Sequence, residues 1–119
     1  MDNKFGIPEE ELKKIQARDK TCVYCPKKMT YPYSISKHND CATIEHLNHD
    51  GPFYWKDGLK AEDIAICCGG CNSSRGKMKL LDWFKTSYCL KRNINENMVT
   101  EPVKEYIRNL KSRKFATTR

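Results

Sequence analysis

The chain has 119 residues, 31% of them charged, and a mean hydropathy of −0.77. That length predicts one domain, 1–119, with a modest apolar core, and no apolar run approaches the 18 residues of a membrane-spanning helix. The net charge of +7 is uneven: residues 1–60 carry 10 Lys/Arg against 9 Asp/Glu and residues 61–119 carry 12 against 6, a concentration of positive charge that is the usual footprint of a nucleic-acid partner.

Residues 7–19 are predicted to form a helix. Pro8 suits its first position, Glu9 to Glu11 complement the positive end of its dipole, and Leu12 and Ile15 give a thin apolar stripe. Cys22-Val23-Tyr24-Cys25 is a knuckle of metal-ligand spacing. A redox dithiol has the same spacing, but the strand–helix unit that would accompany one is missing. Residues 26–40 read as loop. Tyr31 and Tyr33 are taken as core cover in preference to base stacking, and His38 as a surface histidine. Residues 42–47 read as a strand, with Thr43, Glu45 and Leu47 on one face and Ile44 and His46 on the other. Glu45 and His46 can serve one site only if the strand ends or twists there, which predicts His46 at the strand end.

A long loop follows over 48–62, in which Phe53, Tyr54 and Trp55 cannot all face one way. Residues 63–67 read as a short buried strand, antiparallel to the first. Cys68-Gly69-Gly70-Cys71 is the second knuckle, and Asn72 is expected to start a short helix that Gly76 ends in a left-handed cap. One helical segment is predicted over 79–90, with Leu81, Phe84 and Tyr88 at core spacing. The last helix is predicted over 101–113. Thr100 is its N-cap, Val103, Tyr106, Ile107 and Leu110 its apolar stripe, and its basic remainder either grips phosphates or is simply solvated.

Seven cysteines fit poorly with a disulfide framework, and the N-terminus lacks an apolar signal region, so the expectation is an intracellular protein with reduced thiols. Cys22, Cys25, Cys68 and Cys71 supply four thiolates for a closed, structural Zn2+ site. Cys67 reads as a small buried hydrophobe, and Cys41 and Cys89 as bystanders. The zinc would fix the helix at Asn72 over the strands near Glu45 and His46. A carboxylate and an amide oxygen are hard ligands suited to Mg2+ or Mn2+, and an adjacent imidazole can take a proton from water. With a basic flank, that set suits phosphodiester hydrolysis.

The run Cys22-x2-Cys25, then Glu45-His46 after a short strand, a loop, and Asp63-Ile64-Ala65-Ile66-Cys67-Cys68-x2-Cys71-Asn72-x2-Arg75-Gly76 resembles the HNH (His-Me finger, ββα-metal) endonucleases. The zinc-bearing kind, which includes McrA-like and phage junction-resolving nucleases, is the most similar. The resemblance covers residues 22–80. It implies an α+β fold with a zinc-stabilised ββα-metal core, an antiparallel two-stranded hairpin plus helix, and flanking N- and C-terminal helices. It implies His46 as general base, Glu45 and Asn72 as ligands of a catalytic divalent cation, and Asp63 in the place of the residue that orients the histidine. Two departures stand out. An ionised Asp63 accepts hydrogen bonds but donates none, and Glu45 replaces the commoner Asp, changing its reach. Arg75, Lys77 and His49 are the expected phosphate contacts. The expected partner is DNA, duplex or branched, in a phage or bacterial setting, with homodimerisation or a partner protein left open. A non-catalytic, zinc-stabilised nucleic-acid binder and a zinc-stabilised protein–protein adaptor are the alternatives. The Glu45-His46 pair argues against the binder, because an unneutralised carboxylate repels DNA, and the basic second half argues against the adaptor.

Overall fold

Two short strands at the centre are lined on their free edges by other parts of the chain. The computed structural model describes residues 3–117, with side chains described to residue 112. Strand β1 (Ala42–His46) pairs antiparallel with β2 (Ile64–Cys68), setting Ile44 opposite Ile66 and His46 opposite Ile64. All five residues of β2 are buried, as expected of a near-continuous apolar run. A two-stranded sheet leaves both outer edges unpaired, which is costly when buried. On β2, Ile66 N donates to the buried Asp19 carboxylate at 3.0 Å, and Val23 N donates to Ile66 O at 3.3 Å. On β1, Ala42 N donates to Thr30 O at 3.0 Å, and the Asn72 amide donates to Ile44 O at 3.1 Å.

Helix α1 (Glu9–Arg18) lies where the sequence predicts it and packs against β2 through Leu12 and Ile15. Its last residue donates from Nη2 to Ile64 O at 3.0 Å, fastening the helix end to the strand. Helix α2 (Gly69–Arg75) packs against both strands. It begins three residues before Asn72, the expected start, so Asn72 lies within the helix and the second knuckle spans its first turn. Gly76 ends it at φ 54° and ψ −125°, a positive φ outside the left-handed helical region that was expected.

The single segment expected over 79–90 is two helices, α3 (Leu80–Trp83) and α4 (Ser87–Arg92). Thr86 is the cause: its backbone is extended and its hydroxyl donates to Trp83 O at 2.6 Å, closing off the first helix. The break shifts the apolar face by a residue. Leu80, Trp83, Phe84 and Cys89 are buried, while Leu81 and Tyr88 are only partly so. Trp83 meets the Tyr24 ring edge-on at 4.8 Å and donates Nε1–H to Ser74 Oγ at 3.0 Å, tying α3 to α2 and to the first knuckle. Helix α5 (Glu101–Thr117) buries Val103, Tyr106 and Ile107, with Leu110 packed beside them. Thr100 caps it through its carbonyl, which accepts from Val103 N and Lys104 N; its buried hydroxyl has no partner among the described residues. The basic face of α5 is partly neutralised, because Arg108 pairs with Glu101 and Glu105 and Lys111 with Glu96. Among the described residues no helix is long and apolar enough to cross a membrane.

Candidate functional site

The two knuckles converge. Ligand atoms of Cys22, Cys25, Cys68 and Cys71 all lie within 4.8 Å of one another, and Cys25 Sγ is 3.7 Å from Cys68 Sγ. A tetrahedral site with metal–sulfur bonds of about 2.3 Å has edges of about 3.8 Å, so this spacing fits a four-thiolate metal. Thiols this close redistribute their protons. Hydrogen bonding from Cys22 drives the Cys25 thiol far below its ordinary range and helps lower Cys68 to about 7, while Cys22 and Cys71 are driven up by their neighbours. A bound cation removes that conflict by letting all four ionise. Tyr88 adds an outer contact, its hydroxyl 3.5 Å from Cys71 Sγ and its ring covered by Arg92 at 3.6 Å. Cys41, Cys67 and Cys89 are buried and stand outside the cluster.

Strand β2 passes into α2 at the cluster without a loop, since Cys68 is both the last strand residue and the helix N-cap. The 3-10 helix Ile35–Asp40 lies hard against this joint. A Cβ on Gly69 would sit 2.0 Å from the His38 carbonyl oxygen, so only glycine fits. Three residues on, the Asn72 amide donates to Thr43 Oγ1 at 2.9 Å and to Ile44 O at 3.1 Å. Both its N–H groups are thereby used, and Oδ1 remains as the acceptor.

His46 ends β1, as expected, and its ring is wedged between Phe5 (4.3 Å, edge-on) and Phe53 (5.4 Å, edge-on). Nε2 lies 3.0 Å from the Phe53 carbonyl oxygen. A carbonyl only accepts, so Nε2 carries the proton and Nδ1 is left as the base. Burial lowers the His46 pKa, partly opposed by the Phe53 carbonyl, which keeps the ring neutral near pH 7. The hydrogen bond that fixes the ring comes from the Phe53 backbone. The Asp63 carboxylate instead accepts from Lys60 N at 3.3 Å, and its carbonyl accepts from Leu47 N at 2.8 Å.

Glu45 points the other way along the pleat, into a buried network. Its Oε2 accepts from Tyr24 Oη at 2.7 Å and from Arg75 Nη1 at 3.0 Å. Burial raises its pKa, and the guanidinium and the phenol offset only part of that rise. Both bonds fall on Oε2 and leave Oε1 uncommitted by them. Arg75, expected at a phosphate, is engaged inside the protein. Its side chain is 2% exposed, and three of its other four donors go to the carbonyls of His46 (2.8 Å), Leu47 (2.9 Å) and Met78 (3.0 Å). With four of its five donors used inside the protein, it holds the end of β1 in place and has one N–H left for any other partner.

Glu45, His46, Asn72, His49 and Lys77 all line one cleft of about 600 Å3. Lys77 is exposed and His49 half-buried there. The sequence reading missed Asn48, which also lines the cleft, is buried, donates to Pro52 O at 2.9 Å and has a buried Oδ1 without a protein partner among the described residues. It missed Tyr24 as the partner of Glu45 as well; a tyrosine inside a cysteine knuckle carries no sequence signal for that contact. Comparison with protein-family models, with curated proteins and with solved structures returns no match.

Proposed function

We propose that the chain is a metal-dependent endonuclease of the HNH kind that hydrolyses DNA phosphodiester bonds. The observation that carries this reading is a neutral imidazole at a strand end with Nδ1 unclaimed by its carbonyl partner, in the same cleft as the Glu45 carboxylate and the Asn72 amide. In this reading the four thiolates hold a structural Zn2+. It closes a loop of 42 residues between the knuckles and keeps α2 on the strands.

Glu45 Oε1 and Asn72 Oδ1 are hard oxygen donors and would suit Mg2+ or Mn2+. Such a cation, when bound, supplies charge stabilisation at the scissile phosphate and at the leaving oxygen. Because Arg75 already neutralises Glu45, these two side chains alone would hold such a cation weakly. His46 Nδ1 takes a proton from water as the water oxygen bonds to phosphorus. The bond from phosphorus to the 3′ oxygen breaks, and that oxygen gains a proton from solvent, leaving 5′-phosphate and 3′-hydroxyl ends. The Phe53 carbonyl holds the ring in the reactive tautomer, and Lys77 attracts the phosphate backbone.

The test is cleavage of supercoiled plasmid with Mg2+ or Mn2+ by the zinc-loaded protein beside His46→Ala. Nicking by the wild type alone is the expected result. Inactivity on plasmid, branched and single-stranded DNA, with salt-sensitive binding intact, would leave the non-catalytic binder. One observation favours that alternative: the Glu45–Arg75 pair removes the repulsion that an unneutralised carboxylate offers DNA.

A further inference from the structure

The sequence reading assigns Tyr31 and Tyr33 to core cover, and the structure leaves them about half exposed, at 51% and 50%. Phe53 and Tyr54 are exposed at 40% and 46%, and only Trp55 of that aromatic run packs on the core. Single exposed aromatics are ordinary on a protein surface. Here three of them, Tyr33, Phe53 and Tyr54, line the same cleft as His46 and Asn72.

They come from two loops and sit towards opposite ends of β1. The segment bearing Tyr33 joins the sheet at its Ala42 end, through the Thr30–Cys41 bridge and the bond from Ala42 N to Thr30 O. Phe53 packs on His46 at the other end. A five-residue strand spans about 14 Å, or about four nucleotide rises of 3.4 Å. The rings are also held. Tyr33 Oη lies 3.2 Å from His38 Nδ1, and His38 Nε2 lies 2.8 Å from Ser73 Oγ on α2. Tyr54 leans on Phe5 at 6.0 Å, and Phe5 in turn packs on His46. Lys4 and Lys77 add positive charge to the lining, in which Glu45 is the sole acid among the described residues and is paired with Arg75.

In a duplex the faces of the bases are occupied by their neighbours, so protein rings at a cleft wall have nothing to stack on. Unpaired bases offer both faces, and aromatic side chains beside lysines are the usual means of holding them. We infer that this cleft binds single-stranded DNA, stacking unpaired bases on Tyr33 at one end of β1 and on Phe53 and Tyr54 at the other, with the scissile phosphate between them. The inference rests on the nuclease reading for the position of that phosphate, and its test is a binding measurement separate from cleavage.

Fluorescence anisotropy of the zinc-loaded full chain, without added Mg2+ or Mn2+, is measured on a labelled single-stranded oligonucleotide and on its duplex. The expected result is tighter binding of the single strand. Tyr33→Ala and Tyr54→Ala should each weaken single-strand binding roughly 5- to 150-fold and leave duplex binding unchanged. Tyr33→Phe and Tyr54→Phe, which keep the ring, should bind like the wild type, and Lys77→Ala should weaken both substrates alike. Matched zinc content and circular dichroism identify any variant that fails to fold, and the Phe variants then carry the comparison. Equal or tighter duplex binding by the wild type, or alanine variants that lose both substrates equally, would overturn the inference. Equal or tighter duplex binding together with plasmid cleavage would sink the stacking while sparing the nuclease. A single-strand preference with no cleavage of any substrate would do the reverse, and loss of all DNA binding would sink both.

Discussion

Replacing Arg75 by methionine keeps most of its bulk and removes its charge. The Arg75 and Glu45 side chains are 2% and 5% exposed and lie 3.0 Å apart, so the substitution strands a buried carboxylate. Breaking one side of such a pair costs about 3–5 kcal/mol. The carbonyls of His46, Leu47 and Met78 lose donors at the same time, at about 1–3 kcal/mol for each that stays dry. A loss of about 5 kcal/mol or more follows, against a total of roughly 6–18 kcal/mol for a chain of this length. Urea denaturation of the zinc-loaded protein, followed by far-ultraviolet circular dichroism, reads it directly. Lysine should not rescue, since one ammonium cannot reach a carboxylate and three carbonyls together. Glu45→Gln should soften the Arg75→Met loss, so the double variant is more stable than the two single losses predict. Arg75→Met within about 1 kcal/mol of wild type, or strict additivity with Glu45→Gln, would refute the role given to this side chain.

Cys25→Ser or Cys71→Ser should abolish metal binding and with it the fold, read as zinc stoichiometry and loss of a cooperative thermal transition; a well-folded metal-free variant would remove the structural metal from the account. Lys77→Ala should reduce the slope of log K against log salt by about one phosphate contact without changing the urea midpoint; an unchanged slope would exclude the contact. Gly69→Ala forces a methyl against the His38 carbonyl and should cost about 1–3 kcal/mol, visible as a lowered melting temperature. Trp83→Ala should cost about 3–5 kcal/mol, because the ring is wholly buried and holds α3 against Tyr24 and Ser74.

The knuckles, the strand pair and the placement of His46 at a strand end were legible because each depends on local spacing or on the two-residue pleat. The cysteine spacing is a pattern of ligands, and the apolar runs at 42–47 and 63–67 match the strands to within a residue. What escaped is nonlocal. Arg75 is the last residue of α2, and nothing near it in sequence announces a carboxylate 30 residues earlier. Tyr24 sits between two ligands and looks like filler, yet it completes the buried network around Glu45. Tyr31 and Tyr33 read as core because aromatic residues usually are; the loop that carries them instead crosses the sheet end with its rings outward. The helix over 79–90 failed at one hydroxyl, since Thr86 bonding back to Trp83 is a cap that periodicity cannot register.

The absence of any linker between β2 and α2 makes residue count part of the chemistry. Each helical residue advances the chain by about 100° of rotation, so one residue inserted between Cys68 and Gly69 would swing Asn72 about a quarter turn away from Thr43. The other connection between the strands, residues 47–63, is anchored at Leu47, Phe53 and Leu59, but its length between those anchors can change with little entropic cost. The Cys68-to-Asn72 interval therefore tolerates no change of length, and the aromatic loop tolerates more, so the two connections of one small sheet differ in what an insertion would do to the cleft.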